Sequence, residues 1–333
     1  LPAPSNKISV ADLLPPGNVV TIVPDSSAFA LTIAATNISR IVGNDCALCL
    51  TLNGTNAVKP LFTLNAGNST ALPQDVVSAA ILTGSINILL TNNMSFDPLY
   101  VKTGPGAQGY MLIVVRSGSV VLGRDSVMGA ATPVGINQAK WPPAPAAGSL
   151  LNRTIVLSTG TVTTNLTVDV TVSSPLGDHL EFINANGTLN ASASVPSITV
   201  GSVSMNVPSR TMNSGPKDSI DLSGIETSQV VGGGLVMTIA NPFTAVTGTL
   251  SVKFAYGPGV TENVTKTITI PSGTGQRSVT LDSAEIQSIL GKTISLNITG
   301  SVTAATPILV TPKQAVSIDN RLVVTVRTGS GGN

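Results

Sequence analysis

The chain has 333 residues, of which 42% are hydrophobic and only 10% are charged, and its formal net charge is +1. Ordinary soluble domains carry roughly 25% charged residues, so we expect a surface covered by glycans or neighbouring subunits, or one suited to a harsh medium. The sequence shows no basic cluster of the kind that marks a nucleic-acid groove. It also contains no apolar run of the roughly 18 residues that a transmembrane segment needs.

The first half of the chain alternates short apolar stretches with clusters of Gly, Asn, Pro and Ser. Short apolar stretches separated by clusters of turn-forming residues are typical of all-β sandwiches and barrels. Residues 1–16 are rich in proline and predict an extended N-terminal arm, and residues 17–132 predict a β-sandwich domain. The Pro-rich segment 133–148 predicts a semi-rigid linker. We expect Trp141, within this segment, to pack on a domain, with a docking motif as the alternative.

The second half shows strict alternation of apolar and polar residues. Leu250, Val252 and Phe254 share one parity, and the same pattern runs through residues 161–173. Because successive side chains of a strand point to opposite faces, this pattern predicts half-buried antiparallel strands. We predict a second β-sandwich over residues 149–329, with 209–229 as a candidate further boundary and a flexible tail at 330–333. The fold class is therefore all-β, with two or three antiparallel sandwich domains of Ig-like or Greek-key type.

One short helix is predicted near residues 282–290. Asp282 can cap its first turn, and Glu285, three residues later, can complete a capping box. Gly291 suits the left-handed position that ends a helix. Ile286 and Ile289 fall on one face, so we expect this helix to pack on the core; a binding role is the alternative.

Residues 235–302 resemble a known module. A strand ending in Asn241-Pro242-Phe243, a strand led by Gly248, and then Pro271-Ser272-Gly273 before another strand are similar to the water-stress and late-embryogenesis (LEA/WHy-type) β-sandwich module. In that family an Asn-Pro pair follows the first long strand. The resemblance covers about 70 residues and implies a seven-stranded sandwich without a catalytic site.

Cys46 and Cys49 are the only cysteines. Their surroundings are strand-like, whereas a redox C-x-x-C lies at a helix N-terminus in a βαβ unit. Structural zinc needs four ligands, and the chain has two cysteines and one histidine. We therefore favour a local disulfide, with free buried thiols second and an intermolecular bond third.

Few other residues suggest a catalytic or ligand-binding site. Asp178 and His179 are adjacent and could orient a base, but we expect a solvated turn in which the two side chains point apart. The run Gly232-Gly233-Gly234 predicts a flexible turn. We predict no catalytic, cofactor or metal site, and the protein is expected not to be an enzyme.

The motif Asn-x-Ser/Thr occurs ten times, about twice as often as composition alone would give. Each copy is a candidate N-glycan acceptor on a secreted protein. The alternative is a polar strand face that uses Asn and Thr. The ten asparagines are Asn37, Asn53, Asn68, Asn93, Asn152, Asn165, Asn186, Asn190, Asn263 and Asn297.

These features favour a non-enzymatic structural subunit of a cell-surface or extracellular assembly, such as a fibre, a pilus-like filament or a surface layer. The expected partner is a second copy of the chain, in a homopolymer or lattice, with glycans as a further expectation. The alternative is a secreted binding module, either an adhesin or a LEA/WHy-like lipid- or stress-associated sandwich. A hydrolase built on a β scaffold is the third hypothesis.

The N-terminal arm offers a means of assembly. Ile8, Val10 and Leu13 are apolar, but the prolines of this segment disfavour a central strand. In a polymer, such an arm can pair with a sheet edge or fill a groove on a neighbouring subunit. The competing interpretation is a disordered terminus.

Overall fold

A computed structural model describes residues 2–101, 108–224, 230–243, 245–256 and 262–327 of the chain. Their regular structure is almost entirely β, which confirms the predicted fold class. The strands are β1 (Pro2–Ser9), β2 (Val20–Ile22), β3 (Phe29–Leu31), β4 (Thr36–Ile41), β5 (Thr55–Val58), β6 (Phe62–Ala71), β7 (Val76–Asn93), β8 (Tyr110–Ser117), β9 (Val120–Gly129), β10 (Gln138–Ala139), β11 (Leu150–Val156), β12 (Gly160–Thr163), β13 (Asn165–Ser174), β14 (Leu180–Ile183), β15 (Thr188–Met205), β16 (Arg210–Asp221), β17 (Val230–Ala240), β18 (Val246–Tyr256), β19 (Glu262–Thr269), β20 (Thr274–Leu281), β21 (Thr293–Ala304), β22 (Ile308–Val310) and β23 (Ala315–Val326). The α-helices of the described residues are α1 (Ala47–Thr51) and α2 (Ser283–Ile289), and the 3-10 helices are Val10–Leu13 and Val42–Asn44.

The chain divides into two compact units. We name them by their place in the sequence: the central unit comprises residues 18–20 and 28–201 from the middle of the chain, and the outer unit comprises residues 1–17, 21–27 and 202–333 from its two ends. This division differs from the predicted boundary at 133–148, because β13 pairs with both β6 and β8 across that segment. The predicted tail at 330–333 lies outside the described residues.

The central unit contains two sheets with apolar inner faces. One has the strand order β10-β9-β8-β13-β6, antiparallel except for the β10–β9 pair. In the other, β7 pairs with β11 and β12, and β15 pairs with β3 and β4. Ile113 and Val170 of the first sheet and Ile88 of the second are buried. A separate two-stranded sheet joins β5 to β14.

Trp141, in the predicted linker, is fully buried in the central unit. Its indole nitrogen donates to the carbonyl of Ser149 at 2.8 Å, and its backbone nitrogen donates to Asp97 at 2.9 Å. The side chain of Asn92 donates to the Trp141 carbonyl at 2.7 Å. The segment is therefore part of a folded unit; the packing of its tryptophan agrees with the prediction, but its role as a spacer between domains does not.

The outer unit contains two four-stranded antiparallel sheets. Their strand orders are β1-β23-β17-β20 and β16-β21-β18-β19. The alternation predicted from Leu250, Val252 and Phe254 is confirmed, since all three side chains are fully buried in β18. No domain boundary separates 209–224 from the strands that follow, because β16 pairs with β21.

Helix α2 begins as the sequence predicts. The Asp282 side chain accepts from the Glu285 backbone at 2.8 Å, and the Glu285 side chain accepts from the Asp282 backbone at 2.9 Å. Gly291, just after the helix, has a φ of +70°. Ile286 and Ile289 are fully buried, which confirms that the helix packs on the core.

The glycine run predicted as a turn is instead part of β17, between β23 and β20. A Cβ atom at Gly233 would lie 2.6 Å from the Val323 carbonyl oxygen and 2.9 Å from Ile286. Glycine is therefore required there because helix α2 and a neighbouring strand approach the backbone closely.

The predicted extended arm is an ordered edge element of the outer unit. Its residues form β1, which pairs antiparallel with β23, and the 3-10 helix Val10–Leu13. Ile8, Val10 and Leu13 are all buried. The segment therefore fills a position in a sheet of its own chain, and apolar burial explains why it is neither free nor extended throughout.

Candidate functional site

A buried lysine is the most unusual ionisable residue of the central unit. Lys59 directly follows β5, and its side chain is fully buried. Its Nζ atom donates to the Ser174 hydroxyl at 2.7 Å, and Ser174, the last residue of β13, is also fully buried. Nζ lies 5.9 Å from the ring centroids of both Phe96 and Tyr100, within the range of a cation–π contact.

Burial controls the protonation of this region. Removal from water lowers the pKa of Lys59 to about 8, and the charges of Glu181, Asp97 and Asp178 oppose that change. Burial also raises the pKa values of Glu181 and Asp97. Oε2 of Glu181 is enclosed and has no hydrogen-bond partner among the described residues. Opposite charges are thus held near one another in a poorly solvated region.

His179 lies at the outer rim of this cluster. Its Nδ1 is 3.0 Å from Asp178 Oδ1, and its Nε2 is 2.8 Å from Glu181 Oε1. The Tyr100 hydroxyl donates to Asp178 at 2.8 Å, and the rings of Tyr100 and His179 meet edge to face with centroids 4.9 Å apart. The hydrogen bond with Asp178 is the main reason that the pKa of His179 is raised.

The structure therefore corrects one expectation about this turn. His179 is half exposed, as predicted, but the side chains of Asp178 and His179 bind each other rather than pointing apart. Glu181 joins them because it lies two residues after His179, and the pairing of β14 with β5 brings it near Lys59, which directly follows β5. Sequence reasoning missed Lys59 and Ser174, because only the pairing of distant strands brings them to this cluster. It also missed Glu181, for which the spacing from His179 was the available signal.

The chemical capacity of the cluster follows from its accessibility. A lysine bonded to a serine resembles a base beside a nucleophile, but both side chains are fully buried and present no atom to a substrate. Within the described residues, no group of three or more His, Cys, Asp or Glu side chains could hold a metal ion. The geometry is that of an internal charge network.

An apolar face lies on the opposite side of the β5–β14 sheet from Glu181. Leu180 is directly opposite Val58, and these two side chains share a face with Phe182. All three are exposed, Leu180 by 69%. Further exposed leucines lie on the neighbouring segments of the chain: Leu48, Leu50, Leu61 and Leu176. We call Val58, Leu180 and Phe182 the apolar face.

The cysteine pair precedes this sheet. The structure joins Cys46 to Cys49 by a disulfide, and both residues are buried. Cys46 caps α1, since its sulfur accepts from the backbone nitrogen of Cys49 at 3.1 Å. The bridge closes a short loop within one chain and fixes the segment that carries Leu48 and Leu50.

The outer faces of the central sheets are polar with few charges. Hydroxyl groups donate to asparagine side chains directly opposite on the next strand. The pairs are Ser39 with Asn190 at 2.7 Å, Thr154 with Asn87 at 2.9 Å and Thr171 with Asn65 at 3.0 Å. Two shallow grooves, of about 270 and 420 Å³, adjoin on one of these faces and share Leu89 and Ser192.

The same faces explain many of the Asn-x-Ser/Thr motifs. In a strand, residues i and i+2 share a face, so Asn152 and Thr154, or Asn190 and Ser192, point the same way. Asn190 and Asn297 are half-buried. The other eight motif asparagines are exposed: Asn37, Asn53, Asn68, Asn93, Asn152, Asn165, Asn186 and Asn263.

No protein-family model matches the sequence, and no curated protein matches it. Among solved structures, a candidate secreted protein from Parabacteroides distasonis is 10% identical, with 98% of each chain covered and a TM-score of 0.33. The broad bean stain virus structure is 12% identical, with 90% of each chain covered and a TM-score of 0.19. At these TM-scores neither similarity assigns a function.

The segment that resembles the LEA/WHy module has a clear structural role. The buried side chain of Asn241 donates to the Pro271 carbonyl at 3.1 Å and accepts from the Phe243 backbone at 2.9 Å. The Asn-Pro pair therefore ties the end of β17 to the turn before β20. Since no family model matches, the similarity remains a resemblance.

Proposed function

We propose that this protein is a secreted, non-enzymatic structural subunit of an extracellular or cell-surface assembly, built by contacts between β-structures of identical chains. The observation that carries the proposal is the apolar face of Val58, Leu180 and Phe182. Contiguous exposed apolar surface marks interaction sites, because it is costly to leave in water. A second copy is the suitable partner, since an uncharged face can meet its own counterpart without repulsion.

Two further features support this role. The Cys46–Cys49 disulfide suits an oxidising compartment outside the cytosol. On the outer sheet faces, neutral hydrogen bonds join Asn to Ser or Thr, as between Ser39 and Asn190. These pairs do not titrate, so their hydrogen bonds would persist over a wide range of pH. Within the described residues, no helix has the length and apolar character needed to cross a lipid bilayer.

The first experiment combines electron microscopy of native material with sedimentation of the purified chain. We expect ordered polymers of the wild-type protein. The variant Leu180→Ser/Phe182→Ser should sediment less than wild type, because its apolar face is lost. Leu309→Ser is the matched control, since Leu309 is an equally exposed leucine (63%) in the outer unit; it should assemble like wild type. A wild-type protein that stays monomeric at high concentration would contradict the proposal.

The second candidate is a secreted binding module, and one observation favours it. The two adjoining grooves across β4, β7, β11 and β15 are lined mainly by amide, hydroxyl and apolar groups, among them Asn37, Asn87 and Thr154. The one charged residue of their lining, Arg153, is paired with Asp125. Neutral carbohydrate offers matching hydroxyl groups. Calorimetric titration with neutral oligosaccharides tests it, with Asn87→Ala as the variant that should weaken binding.

A further inference from the structure

Strand β1 of the outer unit contacts both β23 and β16. It pairs with β23 at the edge of one sheet, with Lys7 opposite Ser317. It also contacts β16, which belongs to the other sheet. Ile8 is buried there, together with Val10 and Leu13 of the following 3-10 helix. Residues 2–13 thus supply both a strand and apolar side chains to a groove formed by the rest of the unit.

The covalent chain does little to hold β1 beside its pairing partner β23. Its partners in β23 are more than 300 positions away in sequence; Ser5, for example, bonds to Asp319 across 314 residues. The connection onward from the 3-10 helix is residues 14–18, which form no strand pairing. No hairpin therefore connects β1 to β23. The same contacts can form between β1 of one copy and β23 of another.

The connection itself permits an open form. Pro15 and Pro16 restrict the backbone to extended conformations. The turn that follows requires left-handed conformations at two consecutive residues, Gly17 with φ +85° and Asn18 with φ +56°. Glycine adopts either sign of φ freely, and asparagine occupies the left-handed region more readily than other residues with a side chain. A change of conformation at these two residues can therefore straighten the turn and carry β1 away from its own unit.

We propose that β1 exchanges between copies, so that β1 of one chain occupies the groove between β23 and β16 of the next. This inference rests on the proposed function and adds a second, head-to-tail contact to the one made by the apolar face. Exchange replaces each contact within a chain by the identical contact between chains, which makes it a low-cost route to assembly. Donor strand and acceptor groove are different surfaces of one chain, so the contact is head-to-tail and can propagate into a filament.

A pair of cysteines at directly opposite positions tests the exchange. In Lys7→Cys/Ser317→Cys, the two Cβ atoms should lie about 5 Å apart, close enough for a disulfide after small adjustments. We expect oxidised polymers of this variant to run on a non-reducing denaturing gel as a ladder of covalent multimers, which reductant collapses to monomer. The single variants should give no ladder.

The control pair is Thr249→Cys/Thr269→Cys, at exposed opposite positions of β18 and β19, which are close in sequence. It should cross-link only within a chain. Polymers of the test variant that contain only intrachain bonds would overturn the exchange and leave the proposed function standing. A wild-type chain that never polymerises would overturn both.

A second measurement does not depend on new cysteines. A synthetic peptide of residues 1–14 should occupy the acceptor groove at growing ends and reduce the sedimenting fraction. The same peptide with Val10→Asp is the control and should have no effect, because a carboxylate would enter the apolar groove. Equal effects of both peptides, or no effect of either, would contradict the exchange.

Discussion

The Nζ atom of Lys59 lies 2.7 Å from the hydroxyl oxygen of Ser174, and both side chains are fully buried. The two residues are 115 positions apart in the sequence. Buried ammonium groups are rare unless they are paired. Here the nearby charges of Glu181 and Asp97 and the faces of two aromatic rings compensate for the loss of water.

The first prediction concerns the pH dependence of stability. The pKa of Lys59 in the folded protein is about 8, below its usual value of 10.5. Between these pH values the unfolded chain binds more protons, so Lys59 makes the free energy of unfolding rise with pH, by up to about 3 kcal/mol. Lys59→Met should lack this rise.

Urea unfolding at pH 7.5 and pH 10 measures this difference, because the other titrating groups are common to both proteins. Lys7→Met is the control, since the Lys7 side chain is exposed; it should follow the wild-type pH dependence. Parallel curves for Lys59→Met and wild type would refute the prediction.

The second prediction concerns His179. Its hydrogen bond with Asp178 raises its pKa above the usual 6.5. A raised pKa means that the stabilisation is fully present below pH 6.5 and is lost as the pH rises through the folded value. Because the chain has one histidine, its imidazole proton signal in an NMR titration needs no assignment. The midpoint should lie above 6.5 and should fall in Asp178→Asn; a midpoint at or below 6.5 would show that this bond does not form.

The third prediction compares two buried asparagines. Asn6 of β1 is buried, and neither polar atom of its side chain has a hydrogen-bond partner among the described residues. Asn6→Leu should therefore raise the free energy of unfolding by about 1 kcal/mol. Asn92 is equally buried but bonds to Phe96, Met94 and Trp141.

Asn92→Leu is therefore the comparison variant. It should lower the free energy of unfolding by about 3 kcal/mol, because it leaves several buried backbone groups without a hydrogen-bond partner. Denaturant titration of both variants against wild type supplies the comparison. Equal destabilisation by both would mean that Asn6 has a partner.

The fourth prediction concerns glycan attachment. Asn186 lies in an exposed turn, whereas Asn297 is half-buried in β21 with its Oδ1 enclosed. Since N-glycans occupy surface positions, expression in a glycosylating host should modify Asn186 and leave Asn297 free. Peptide mapping by mass spectrometry locates the glycans. Asn186→Gln should reduce the intact mass by one glycan and Asn297→Gln should not; the reverse result would contradict the assignment.

Local rules account for what could be predicted. The parity of Leu250, Val252 and Phe254 gives the buried face of β18, because alternation depends only on neighbouring residues. The cap between Asp282 and Glu285 is likewise a contact across three residues. The disulfide between Cys46 and Cys49 spans a similar distance.

Other features depend on pairings that composition does not reveal. Residues 133–148 have the composition of a linker, yet Trp141 is buried because Asn92 and Asp97 bind its backbone from another segment. Gly233 lies in a strand because helix α2 packs against it. In both cases local conformational preference predicts a loop, and long-range packing outweighs it.

By itself the sequence determined the all-β class, the inward faces of the main strands and the short capped helix, since each follows from periods of two or 3.6 residues. Only the tertiary structure decided that Lys59 meets Ser174, that Val58, Leu180 and Phe182 share an exposed face, and that β1 seats against β23. These contacts join residues far apart in the chain, and their register is set by the burial of whole sheets. The local sequence specifies which side of a strand is apolar. The packing of the whole fold determines which other strand that strand pairs with.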